Sequence, residues 1–110
     1  MSTDDDIYQG LGEILLAIAP AHATAVYLDA QLSTQGDHAK MAYDYATERG
    51  DTQWFMPESA RVDAELLLLL VKLRAFFEQY NLFETGEPWK RCLIKLDLET
   101  ARICADFKYE

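Results

Sequence analysis

The 110-residue chain predicts an α+β fold: an antiparallel β-sheet, made of a meander plus a C-terminal hairpin, with helices packed on one face. The predicted order is α-β-β-β-α-β-β. Three observations predict it. Apolar residues recur at helical spacing in two separate stretches. Four other segments alternate apolar and polar residues with the period of two that a half-buried strand requires, and a fifth is short and aromatic. Turn residues divide these segments, and the layer rule then places the helices on one face of an antiparallel sheet. The length is that of one domain, 1–110, and no internal repeat, low-complexity tract or linker divides it.

The first helix is expected over about 5–19, where Ile7, Tyr8, Leu11, Ile14, Leu15 and Ile18 form one stripe. Asp4, Asp5 and Asp6 suit the positive end of its dipole, and Pro20 stops it. Gly10 and Gly12 weaken it by about 1 kcal/mol each relative to Ala, and allow another element to approach closely. In 24–32, Val26, Leu28, Ala30 and Leu32 alternate with Tyr27, Asp29 and Gln31, a first strand. After a turn at 33–38, Met41, Tyr43 and Tyr45 alternate with Ala42, Asp44 and Ala46 as a second strand. A turn with Gly50 leads to a short aromatic strand at 52–56, ended by Pro57.

Asp63 is placed as the N-cap of a long second helix, with Leu66, Leu70, Leu73, Phe77 and Tyr80 along one stripe. Leu67, Leu68, Leu69 and Val71 add apolar surface on its other faces, so the helix is buried on several sides or lends one to a partner. Gly86 and Pro88 break the exit loop. The last two strands form a hairpin in which Leu96 faces Ile103, Ile94 faces Ala105 and Cys92 faces Phe107. That register sets Asp97 beside Arg102 and Lys95 beside Cys104, and puts the two cysteines on opposite faces, where they cannot bond.

The chain carries 10 Lys and Arg against 19 Asp and Glu, a net charge of −9. Residues 1–70 hold 12 of the acids and 3 of the bases, whereas 71–110 hold 7 of each, so the excess lies in the first two-thirds. Such a surface repels a phosphate backbone or an anionic membrane and favours a basic partner. Half the residues are hydrophobic, which excludes a disordered acidic tail. MSTDDD lacks the basic and apolar parts of a signal peptide, and the apolar run at 66–71 is too short to span a bilayer, so the chain reads as cytosolic.

Reactive chemistry finds little support. His22 and His38 lie in predicted loops, and no ligand spacing indicates a metal site. No phosphate-binding or dinucleotide motif is present, and neither histidine belongs to a local nucleophile signature. No cofactor and no catalysis are expected. Trp89 reads as a core anchor rather than a partner contact; Tyr43, Tyr45, Trp54 and Phe55 read as core or sheet-face residues.

Near the C-terminus, Glu87-Pro88-Trp89, then Leu96-Asp97, then Asp106-Phe107-Lys108-Tyr109 follow in an order and spacing that resembles the ending of the YezG-type immunity proteins. Upstream, Ile14 before Pro20, the Val26-Tyr27 strand, Tyr43-Asp44-Tyr45 and Met56-Pro57 fit the same pattern. The resemblance covers nearly the whole chain, and its final quarter is the specific part. The long helix departs from the family in its leucine run, Lys108 stands where an acid is common, and the turn at 99–101 lacks the usual glycine. The resemblance implies a cytosolic antitoxin that binds and blocks the secreted toxin of its own bacterium, often a nuclease. A nuclease must be basic to hold phosphates, so an anionic inhibitor would be steered to it. The acids on or beside the meander, Asp29, Asp37, Asp44, Glu48 and Asp51, are the expected partner-binding residues. An alternative reading is a non-catalytic module whose leucine-rich helix mediates a homodimer or holds a client.

Overall fold

The computed structural model describes residues 3–33, 38–57, 60–83 and 88–109. The elements are α1 (Thr3–Ile18), β1 (Ala23–Leu32), β2 (Ala39–Thr47), β3 (Thr52–Phe55), α2 (Ala60–Gln79), β4 (Arg91–Asp97) and β5 (Arg102–Lys108). The α+β class and the order α-β-β-β-α-β-β are those the sequence predicts. The strands make one antiparallel sheet in the order β3-β2-β1-β4-β5. β1 lies at the centre because it carries the longest alternating run, and its inward residues Val26, Leu28, Ala30 and Leu32 are all buried. No helix among the described residues is long and apolar enough to cross a membrane.

Both helices cover the same face. Leu11 and Leu15 of α1 and Leu66, Leu70 and Leu73 of α2 pack on Val26, Leu28, Ile94 and Leu96 in one buried cluster. The stripe spacing that predicts the helices therefore also selects the residues that bury. Gly10 is the close approach: a Cβ there would stand 3.2 Å from Leu69 Cδ1, tighter than ordinary contact. α2 is apolar on several sides because it has several neighbours. Leu66, Leu70 and Leu73 are fully buried and Leu67, Leu69 and Val71 partly so, while Leu68 stands in solvent.

The helix ends differ from the sequence expectation in two places. α2 begins at Ala60, so Asp63 lies inside its first turn rather than at the N-cap. Its carboxylate instead accepts a hydrogen bond from the Tyr43 hydroxyl of β2. Tyr80, assigned to the apolar stripe, is exposed, because the helix stops at Gln79. Asn81 adopts φ 55°, Leu82 N–H donates to Phe77 O at 2.8 Å and Asn81 N–H to Glu78 O at 3.3 Å. Those two bonds make a Schellman motif, with Asn81 filling the left-handed position usually taken by glycine.

The hairpin register is the predicted one: Leu96 pairs Ile103, Ile94 pairs Ala105, Cys92 pairs Phe107, Asp97 pairs Arg102 and Lys95 pairs Cys104. Cys92 is buried inside and Cys104 is exposed outside. Trp89 is wholly buried and is the core anchor expected of it. Its ring meets Phe107 at 4.9 Å and Phe77 at 6.2 Å between centroids, with Phe83 and Tyr109 extending the cluster. Arg74 of α2 lies over this ring and donates to Ser33 O at 3.0 Å and to Trp89 O at 3.5 Å. One guanidinium thus ties the exit of β1 to the entry of β4.

The β4–β5 turn carries a strained residue. Asp97 Oδ1 accepts from the backbone N–H of Glu99 at 2.9 Å and of Thr100 at 3.3 Å, and Ala101 is held at φ 57°. An L-residue pays roughly 1 kcal/mol for that conformation. Ala101→Gly is expected to raise the unfolding free energy by about 0.5 kcal/mol in urea melts, because relief of the strain exceeds the added entropy of the unfolded chain.

Candidate functional site

With both helices on one side, the opposite face of the sheet is open. Pairing brings Trp54, Asp44, Tyr27, Lys95 and Cys104 into one row across the five strands. The next row sets Ala42, Asp29, Leu93 and Asp106 side by side. Tyr27, Asp29, Asp44, Thr52, Lys95 and Asp106 line an open concavity of about 480 Å³ on this face.

The predicted acids divide among three situations. Asp29 lies on β1 at the centre of the open face, where Arg91 of β4 holds it with both ends of its guanidinium; Nε to Oδ1 is 2.7 Å. Its charge is thereby answered within the sheet, a bidentate pairing. Asp44 lies on β2, between Tyr27 and Trp54. Glu48 and Asp51 are exposed in the β2–β3 turn, which closes by Gly50 N–H to Thr47 O at 2.9 Å and Thr47 N–H to Asp51 O at 3.1 Å. Gly50 sits at φ 83°, a conformation that glycine takes without strain. Asp37 lies outside the described residues. Asp44, Glu48 and Asp51 therefore share one corner of the sheet, and Asp29 belongs to its middle.

Trp54 is the feature that sequence reading passes over. It is 74% exposed, on the open face of edge strand β3 and directly opposite Asp44. Met56, just past the strand, is 76% exposed. The strand alternates, with Phe55 turned inward to meet Tyr43 and Tyr45 at 5.8 and 5.7 Å between ring centroids. In TQWF both residues of the Trp-Phe pair are aromatic, so period alone leaves open which one faces solvent. The uneven charge of the sequence reappears in space: the β2–β3 corner carries Asp44, Glu48 and Asp51 against Arg49, whereas β4 and β5 set Arg91, Lys95, Arg102 and Lys108 on the open face with Asp97 and Asp106 among them.

The reactive groups are scattered. His22 and His38 are exposed at loop positions, His22 at φ 69°. Among the described residues, no group of three His, Cys, Asp or Glu side chains could hold a metal ion. In comparisons with known proteins, no protein-family model and no curated protein matches the chain.

Two buried groups resist ionisation. Burial, then the Asp63 bond and charge, push the Tyr43 phenol above its ordinary range. Burial, then the charges of Asp106 and Asp29, push the Cys92 thiol up to about 12. Both groups ionise more readily in the unfolded chain, so their contribution is intact below the unfolded values and is lost as pH rises through them. Urea stability is therefore expected to hold up to about pH 9 and fall above it. Tyr43→Phe should flatten the decline above about pH 10, while costing about 1 kcal/mol at neutral pH through the lost hydrogen bond. In native protein a maleimide should label Cys104 and spare Cys92; rapid double labelling without denaturant would contradict the burial of Cys92.

Proposed function

We propose that the chain is an immunity protein of the YezG type, which binds and neutralises a cognate secreted toxin in the cytoplasm by occluding the toxin's basic, nuclease-like surface. The observation that carries this reading is the exposed indole of Trp54 set beside Asp44, Glu48 and Asp51 at one corner of the sheet. An exposed aromatic is the usual anchor of a binding hot spot, and the acid excess at this corner, three carboxylates against Arg49, favours a partner of the opposite sign. The net charge of −9 adds long-range steering toward a basic target. Inhibition of this kind needs occupancy and affinity only, in keeping with the scattered histidines and cysteines.

The alternative, a homodimer or client-holding module built on α2, has one specific support, Leu68 at 63% exposure. Leu69, its neighbour, is spent against Gly10. A single exposed leucine is ordinary for a soluble surface, so the acidic corner is favoured. Sedimentation separates the two readings: the immunity protein is a monomer alone, and a dimer broken by Leu68→Glu would favour the alternative.

The direct test mixes the purified chain with the toxin domain encoded by the adjacent reading frame and follows nuclease activity. Stoichiometric inhibition is expected, and full activity at equimolar inhibitor would refute the reading. Trp54→Ala should weaken the complex by about 2 kcal/mol, roughly 30-fold, with unchanged thermal stability. Asp44→Lys should slow association chiefly, and association by the wild type should itself slow as salt is added.

A further inference from the structure

The second edge of the sheet carries a different kind of surface. β5 pairs with β4 alone, so its outer edge has no strand neighbour among the described residues. The phase of that edge follows from two bonds. Leu32 N–H donates to Lys90 O at 2.8 Å and Leu98 N–H to Thr24 O at 2.9 Å. Even-numbered residues along β4 therefore turn their backbone groups to β1 and odd-numbered ones to β5. Through the β4–β5 register, Arg102, Cys104 and Asp106 answer the odd set. The N–H and C=O groups of Ile103 and Ala105 are left pointing out of the sheet.

A groove of about 450 Å³ opens at the turn end of that edge, between α1 and the β4–β5 hairpin, where Ile103 of β5 lines it together with Leu96, Leu98 and Ala101. Its floor is apolar, with Leu16 and Ile103 prominent, and Leu16 is 62% exposed. Its rim is acidic: Asp5 and Glu13 project from α1, and Gln9 donates to Glu13 Oε1 at 3.2 Å. No Lys or Arg lines it among the described residues. Gly12 keeps it open, since the nearest atom to a Cβ built there is Ile103 Cδ1 at 4.0 Å.

We infer that the α1–β5 groove accepts an extended strand of the toxin, which adds to the sheet along β5 and lays a Lys or Arg over Leu16 and Ile103 toward Asp5 and Glu13. This inference rests on the immunity reading and supplies that reading with a second contact. Three features select the occupant. Outward-pointing N–H and C=O groups fit a β-strand. An apolar floor below a carboxylate rim fits a long cationic side chain, whose methylenes lie on the floor while its charged head reaches the rim. A second copy of this anionic chain would bring its own Asp5 and Glu13 toward the first, a repulsive arrangement.

The test uses the full chain and the toxin domain from the adjacent reading frame. Hydrogen exchange on the complex should protect the amides of Ile103 and Ala105, which exchange freely in the chain alone. Gly12→Gln, which fills the groove while improving helix propensity, should keep or raise the melting temperature yet weaken binding by more than about 30-fold. Glu13→Lys should weaken it similarly and leave the far-ultraviolet spectrum unchanged. A wild-type complex in which these amides still exchange freely and Gly12→Gln binds normally would overturn the groove and leave the immunity reading standing. Failure of the wild type to bind at all would overturn both. Protection of the same amides in a toxin-free dimer would assign the edge to a second copy and overturn the strand from the toxin.

Discussion

Everything this molecule can present to a partner depends on one constraint: two helices bury one face of a five-stranded sheet. Leu11, Leu15, Leu66, Leu70 and Leu73 seal the inner side of β1 and β4, where Val26, Leu28, Ile94 and Leu96 are almost wholly buried. Cover thins toward both edges, where Phe55, Ile103, Ala105 and Phe107 are only half-buried. The outer face and the two edges are left for solvent or for binding. Apolar burial drives the covered side, and among the described residues no third layer covers the other.

Polar tethers then orient what the core has fixed. Arg74 reaches Ser33 and Trp89 from α2, Asp63 takes the Tyr43 hydroxyl, and Arg91 takes Asp29 across the open face. Each joins segments distant in sequence, and the first two engage half-buried groups that would otherwise be poorly solvated. One polar atom has no such partner among the described residues: the buried Trp89 Nε1. An unanswered indole N–H there costs on the order of 1–3 kcal/mol, which the aromatic packing around Trp89 must outweigh.

The two proposed contacts differ in physics. At the β2–β3 corner an exposed indole shares the surface with three carboxylates and Arg49, an acid excess suited to a folded basic domain. At β5 the backbone itself is the recognition element, and the acids of α1 add a preference for cationic side chains. A partner that engaged both would be held at opposite edges of one rigid sheet. Affinity then follows from two linked contacts on one scaffold rather than from contact area alone.

Much of this was legible in the residues. Period-two alternation identified four of the strands and a short aromatic run ended by Pro57 the fifth, helical spacing identified both helices, and cross-strand matching predicted the β4–β5 register residue by residue. Those signals are local and repeat, so they survive without any knowledge of neighbours. The end of α2, the role of Asp63 and the exposure of Tyr80 depended on a cap and a tertiary hydrogen bond that the periodic pattern does not encode. For the site, sequence alone determined that acids concentrate in 1–70 and fall on the meander. Only the tertiary structure decided that Arg91 neutralises Asp29, that Trp54 faces solvent beside Asp44, and that Gly12 leaves a groove against β5. The physical reason is that charge pairing, exposure and cavity shape belong to residues 10 to 91 positions apart, brought together only when the sheet takes its strand order.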